Sequence, residues 1–122
     1  SLARDLAARL GTVGHLTALR RTRSGAFTLD DARGLEGEVS AERARAAVLP
    51  LAAAAARALQ VLTLTEAGVR AARHGQRVSP ADLGSCGPGP AAWLDPEGRL
   101  VAVGEVGEDG AGRVLRGFPP RP

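Results

Sequence analysis

Apolar positions recur at helical spacing at the start of the chain and at strand spacing near its end. Leu2, Leu6 and Leu10 stand at i, i+4 and i+8, with Ala3 and Ala7 beside them, while Arg4, Asp5 and Arg9 fall mostly elsewhere. One apolar stripe of this kind predicts a helix over 2–10. Gly11 ends it, because glycine enters the left-handed region cheaply. Residues 15–23 alternate imperfectly and read as a strand, closed by a Ser24-Gly25 turn. Thr28 then opens a short helix, with Asp31 at the fourth capping-box position. Residues 34–40 read as a loop. Ser40 caps a helix over 41–48 that stops before Pro50, since a residue preceding proline resists helical ψ. The Ala-rich run 51–59 is helical and 61–64 a short strand. Thr63 and Glu66 have capping-box spacing for a helix over 67–73, with Thr65 as the competing cap and Gly75 as the stop. Residues 78–90 hold three Pro and three Gly without periodicity, which predicts a linker or long loop and the domain boundary. After it the period is two. Residues 91–94, 100–105 and 113–118 read as three antiparallel strands, with turns at Asp95-Pro96-Glu97-Gly98 and Glu108-Asp109-Gly110. Trp93 is expected in the core of this unit.

At 122 residues the chain is about one domain, or two small pieces of a larger protein. It opens on Ser1 directly in helical periodicity and contains no Met, so it reads as a C-terminal fragment. The net charge is +3, unevenly spread: residues 1–25 hold five Arg against Asp5 alone, residues 81–122 four Arg against six acids. Every basic residue is Arg, and Lys, Asn, Ile, Tyr and Met are absent. That skew fits codon bias in a GC-rich bacterial genome and weakens any argument from Arg over Lys. Cys86 stands alone, which excludes an internal disulfide and a multi-Cys metal site. His15 and His74 lack zinc-ligand spacing. The apolar run 49–59 is too short for a bilayer, no signal peptide is visible, and a reducing cytoplasm fits best.

The stretch His15–Phe27, HLTALRRTRSGAF, carries the candidate chemistry. Leu16, Ala18 and Leu19 precede Arg20, Arg21 and Arg23. Arginine offers five donors in a planar fork and stays charged, so a close group with few acids nearby suits phosphate. Arginines merely solvated at a strand end would give the same pattern.

The same stretch resembles the LRRT(R)xGxF signature of the TruB family of bacterial tRNA pseudouridine synthases. Three more stretches are similar in order: SLARDLAARLG at the start, the Leu-Thr-Glu-Ala to Arg-His-Gly-Gln-Arg-Val run at 64–78, and AWLDPEGRLVAVGEV. Together they cover about three quarters of the chain. The resemblance implies an α+β fold: residues 1–35 as the end of a pseudouridine synthase catalytic domain, 36–80 as a helical connecting segment, and 81–122 as a small antiparallel PUA-like β domain. It implies that the parent enzyme isomerises the T-loop uridine of tRNA to pseudouridine without cofactor or metal, on a base drawn out of its stack. The family uses an Asp nucleophile, an Arg paired with it and a Tyr that stacks on the base. All three fall in motifs upstream of Ser1, so no catalytic residue is expected in this chain and the chain alone should be inactive. The resemblance assigns Leu19 to the floor beneath the flipped base, with plain core packing as the other reading. It places at least one of Arg20 and Arg21 on tRNA phosphate, with a catalytic-domain carboxylate as the other reading for the second of them, and Arg23 reads as an accessory phosphate contact. The expected partner is the tRNA T-stem-loop, with no membrane, no metal and a monomeric parent. His15 matches the family and reads as a structural hydrogen-bonding residue. Ala7 departs from it, standing where Gly is usual. A non-catalytic RNA-binding module and a structural α+β domain with solvated arginines are the other two readings. Leu2, Leu6, Leu10 and Leu16 are expected to leave an uncovered apolar face.

Overall fold

The computed structural model describes residues 2–34, 37 and 40–119. The chain divides into two compact units, Ser1–Ala32 and Arg33–Pro122. Most of the loop expected over 34–40, and the boundary expected after residue 35, lie outside the described residues.

The first unit opens with helix α1, Leu2–Arg9. The N–H of Thr12 reaches the Ala7 carbonyl at 2.9 Å, and Gly11 takes the left-handed φ of 69° that this helix stop requires. Ala7 is buried, whereas Leu2, Leu6, Leu10 and Leu16 are 83, 56, 71 and 56% exposed. The apolar stripe therefore has no cover from the described residues. The strand expected over 15–23 is not formed. Only Arg23–Ser24 (β1) pairs, antiparallel, with Phe27–Thr28 (β2), in the register Arg23↔Thr28 and Ser24↔Phe27. A strand exists only where a neighbour completes its ladder. Among the described residues, the partner of this run extends no further than the hairpin. Gly25 makes the turn at φ 58°. A 3₁₀ turn, Leu29–Asp31, follows, and Asp31 Oδ2 accepts the Thr28 N–H at 2.9 Å, the returning half of the expected capping box.

In the second unit, Ser40 accepts the Arg43 N–H and caps α2, Ala41–Ala47. Helix α3, Leu51–Ala58, leads into strand β3, Gln60–Thr63. Helix α4, Glu66–Arg73, is capped by Thr65, whose Oγ1 accepts the Gly68 N–H at 3.1 Å. The competing cap wins because Thr63 is held in β3. Gly75, at φ 67°, ends α4 as expected. Strands β4 (Ala91–Leu94), β5 (Leu100–Val106) and β6 (Gly112–Gly117) lie close to their sequence-read positions and pair antiparallel in that order. The sheet is mixed rather than purely antiparallel. Strand β3 joins it beside β4 in parallel, Gln60 opposite Ala91 through Thr63 opposite Leu94, giving the order β3-β4-β5-β6.

A parallel pair needs a crossover, and α4 with residues 74–90 supplies it. That role explains why 78–90 is no free linker. Val78 is fully buried and exchanges both backbone bonds with Gly112. Thr65 donates through Oγ1 to Asp82 Oδ1 at 2.5 Å, and the Gln60 side chain holds the Gly87 N–H and the Pro88 carbonyl. The core gathers Leu62, Leu64, Val69, Val78 and Ala102 around Trp93, which has no exposure. Gly104 and Gly112 lie over the six-membered ring of Trp93: a Cβ at Gly104 would come within 2.5 Å of Cε2, and one at Gly112 within 2.7 Å of Cη2. The side-chain-free surface of these two strands is what lets a tryptophan fit a core otherwise built of small aliphatics.

Candidate functional site

The arginine segment leaves α1 at Gly11, turns through Thr12–Gly14 and runs irregularly to the β1–β2 hairpin. At the first bend Gly14 passes close to Ala7, where an added Cβ would meet the Ala7 Cβ at 3.3 Å. His15 and residues 16–24 are all exposed, and Leu19 is 85% so. Among the described residues Leu19 has no core to fill. Arg23 folds its Nε–H onto the Gly25 carbonyl at 3.1 Å, which orients it along the hairpin. Arg20 and Arg21 make no ion pair among the described residues.

The hairpin and the 3₁₀ turn enclose an open hollow of about 250 Å³. Arg21 and Arg23 line it together with Phe27, Leu29 and Asp31. Asp31 is engaged with the Thr28 N–H, so it serves the turn as well as the hollow. The hollow is lined almost wholly by apolar surface, so Arg21 and Arg23 contribute mainly their methylene stems to it and carry their charges at its margin. The structure thus brings Arg21 and Arg23 together and leaves Leu19 and Arg20 outside the hollow, on the approach to it.

The second unit holds a feature the sequence did not reveal. The turn at 95–99 is locked by Asp95, 2% exposed. Its Oδ1 accepts the N–H groups of Glu97 (3.1 Å) and Arg99 (2.8 Å), and its Oδ2 accepts Arg99 Nε–H at 2.7 Å. Burial alone would raise the Asp95 carboxyl. The Arg99 backbone and guanidinium bonds, with the Glu97 N–H, outweigh it and hold the group below the ordinary value of 3.8. Beside this turn lies a hollow of about 350 Å³, described below. No sequence signal marks it, because its walls come from residues scattered between 50 and 119. Among the described residues no cluster of His, Cys, Asp and Glu could hold a metal ion, and no helix is long and apolar enough to cross a membrane.

The chain is similar to known proteins in both sequence and fold. The family model of the tRNA pseudouridylate synthase B C-terminal domain matches residues 1–55, a range that contains the whole arginine segment. tRNA pseudouridine synthase B of Thermobifida fusca is 47% identical over 105 residues, covering 86% of this chain and 33% of that protein. The enzyme of the same name from Corynebacterium efficiens is 46% identical over 122 residues, 100% of this chain and 38% of that protein. The chain therefore spans 33–38% of the length of the curated relatives it matches. Among solved structures, an H/ACA RNP bound to a substrate RNA containing 2′-deoxyuridine superposes with a TM-score of 0.70 at 24% identity, over 99% of this chain and 46% of that one. A Cbf5-Nop10-Gar1 complex gives 0.69 at 24% identity, over 99% and 44%. These two likenesses establish a shared fold.

Proposed function

The chain belongs to the tRNA pseudouridine synthase B family, whose C-terminal region it matches, and on that premise we propose that its parent protein isomerises the T-loop uridine of tRNA to pseudouridine. The observation that carries this reading is the identity of 38–47% with relatives of that name over 86–100% of the chain. In this reading residues 1–35 complete the catalytic domain, 36–80 connect, and 81–122 form a PUA-like β domain. The sheet's fourth strand, drawn from 60–63, ties the connector to that domain.

Leu19 forms the apolar floor beneath the flipped base, and its exposure supports a surface role over packing within this chain. A water-excluding floor suits a planar base removed from its stack. Arg20, Arg21 and Arg23 hold tRNA phosphate. The exposure of residues 16–24, which leaves Arg20, Arg21 and Arg23 open to solvent, supports that assignment. The catalytic Asp, Arg and Tyr of the family have no counterpart in this chain, so its contribution is binding and pocket shape.

The test is an assay on the full-length parent with a T-stem-loop transcript tritiated at uridine C5. That carbon loses its hydrogen when it becomes the glycosidic carbon. Tritium release is expected, with Leu19→Ala lowering the rate roughly tenfold through lost apolar contact. Absence of release, with salt-sensitive RNA binding retained, would move the protein to a non-catalytic RNA-binding module and return Leu19 to ordinary packing.

A further inference from the structure

The hollow of about 350 Å³ in the second unit sits where the start of α3, the end of α4, the 95–99 turn and the end of β6 meet. Its walls are apolar at Leu51, Leu100 and Phe118, and three charged side chains reach it: Arg73, Asp95 and Arg99. Two of the three are already committed. Arg99 gives Nε–H to Asp95 and Nη2–H to Glu97, both at 2.7 Å, and the Asp95 carboxylate accepts from Glu97 and Arg99, both within the turn. Arg73 makes no ion pair or side-chain hydrogen bond among the described residues. The hollow thus presents one uncompensated positive charge above an apolar surface.

Its surroundings narrow the ligand further. The adjoining groove, which shares Arg73, Asp95 and Arg99, adds Glu66 and Glu97 against Arg70. A polyanion lying across both would meet carboxylates as often as guanidiniums, whereas a single negative charge at Arg73 within the hollow meets only Asp95, which Arg99 and the turn N–H groups already engage. We propose that this hollow binds a monoanionic carboxylate carrying an apolar body, with the carboxylate on Arg73 and the body against Leu51, Leu100 and Phe118. An apolar C-terminal residue of a peptide and a free carboxylic acid share that chemistry. The inference does not depend on the RNA reading, because the arginines it uses are not those of the N-terminal unit.

The experiment is titration of the full ¹⁵N-labelled chain with N-acetyl-phenylalanine, its C-terminal amide, a tetrapeptide ending in phenylalanine, and uridine monophosphate, followed by amide chemical shifts. N-acetyl-phenylalanine is expected to shift the Leu100 and Phe118 amides saturably, with Kd on the order of 1 mM for so small a ligand. The amide should bind about fivefold more weakly. Arg73→Gln should abolish that difference between acid and amide, which isolates the charge contact from any general effect of the substitution. Leu51 is 54% exposed, so Leu51→Asp preserves the fold and should weaken the acid by placing a like charge in the hollow. Tighter binding of the tetrapeptide than of the free acid identifies a peptide terminus as the source; exclusion of the tetrapeptide with the acid retained identifies a small acid. No saturable shift, equal binding of acid and amide, or tighter binding of uridine monophosphate would each overturn the proposal.

Discussion

Replacing Asp95 by Asn should destabilise the second unit by about 2–3 kcal/mol, although the substitution changes one buried atom. Asparagine keeps an oxygen where Oδ1 now accepts the Glu97 and Arg99 N–H groups. Its Nδ2 then faces Arg99 Nε–H, donor against donor, at a place where Oδ2 accepts at 2.7 Å. Losing a charge-assisted bond and burying an amide without an acceptor would cost about 1–3 kcal/mol each in a closed interior. The Arg99 side chain is 69% exposed, so water screens its half of the pair and brings the first contribution toward 1 kcal/mol. The assay is urea unfolding followed by fluorescence of Trp93, whose β4 neighbour Leu94 immediately precedes Asp95. The pH dependence supplies an independent arm. The Asp95 carboxyl is depressed in the folded state, so its stabilisation is fully present above the unfolded value near 3.8 and is lost as pH falls through the lower, folded value. The gap between wild type and variant should therefore be constant from about pH 5 to 8 and close below about pH 4. A variant within about 0.5 kcal/mol of wild type at pH 7, or a gap that persists unchanged into acid, would refute the reasoning.

Three further outcomes follow from the same structure. Arg20, Arg21 and Arg23 changed together to Gln in the parent should flatten the slope of log affinity for a T-stem-loop against log salt by roughly 2–3, at ~0.7–0.9 per phosphate contact; an unchanged slope in filter binding would remove all three from phosphate. Gly104→Ala would drive a methyl into the Trp93 ring, and because Trp93 has no exposure and Gly112 backs it on the next strand, the loss should reach the upper end of overpacking costs, about 3 kcal/mol, as a lowered urea midpoint. Leu2, Leu6 and Leu10 changed to Gln should turn a self-associating chain into a monodisperse one by light scattering, since these side chains are 83, 56 and 71% exposed and none supports a core within the described residues.

Local chemistry was legible in the sequence wherever a residue acts on its own neighbours. Ser40, Gly11, Gly25, Gly75 and the two hairpin turns at Gly98 and Gly110 all do what their types demand, because capping and left-handed φ are settled within a few residues. The three C-terminal strands were legible for the same reason: period-two patterning and turn residues agree. Pairing was not. Residues 15–22 carry strand-like residues but no ladder forms beyond the hairpin, and Thr63 lost its capping role to a sheet partner more than 25 residues away. The anchoring of 78–90 was hidden because its Pro and Gly content describes a loop equally well whether it swings free or is pinned at Val78, Asp82 and Gly87. In the candidate site, the sequence identified the arginine cluster but not which members share a hollow. That division depends on the hairpin bringing Arg23 beside Phe27 while Arg20 remains on the approach.

The two ends of the chain differ in how many acids stand beside their arginines: residues 1–25 hold five Arg against Asp5 alone, residues 81–122 four Arg against six acids. In the second unit Arg99 answers Asp95 and Glu97, Arg113 answers Glu105, and Arg77 answers Asp109 across 32 residues. Such pairs add little stability at the surface, but each removes a guanidinium from the set available to a ligand. In the first unit Asp31 closes its own turn and Arg4 lies against Asp5, while Arg20 and Arg21 remain uncommitted among the described residues and Arg23 gives only Nε–H to a carbonyl. A polyanion meeting residues 20–23 would release counterions there, whereas at Arg77, Arg99 and Arg113 it would have to break ion pairs. Residues 20–23 are therefore a basic segment open to several phosphates, whereas Arg73 of the second unit, beside Asp95 in its hollow and Glu66 and Glu97 in the adjoining groove, suits one charge rather than many.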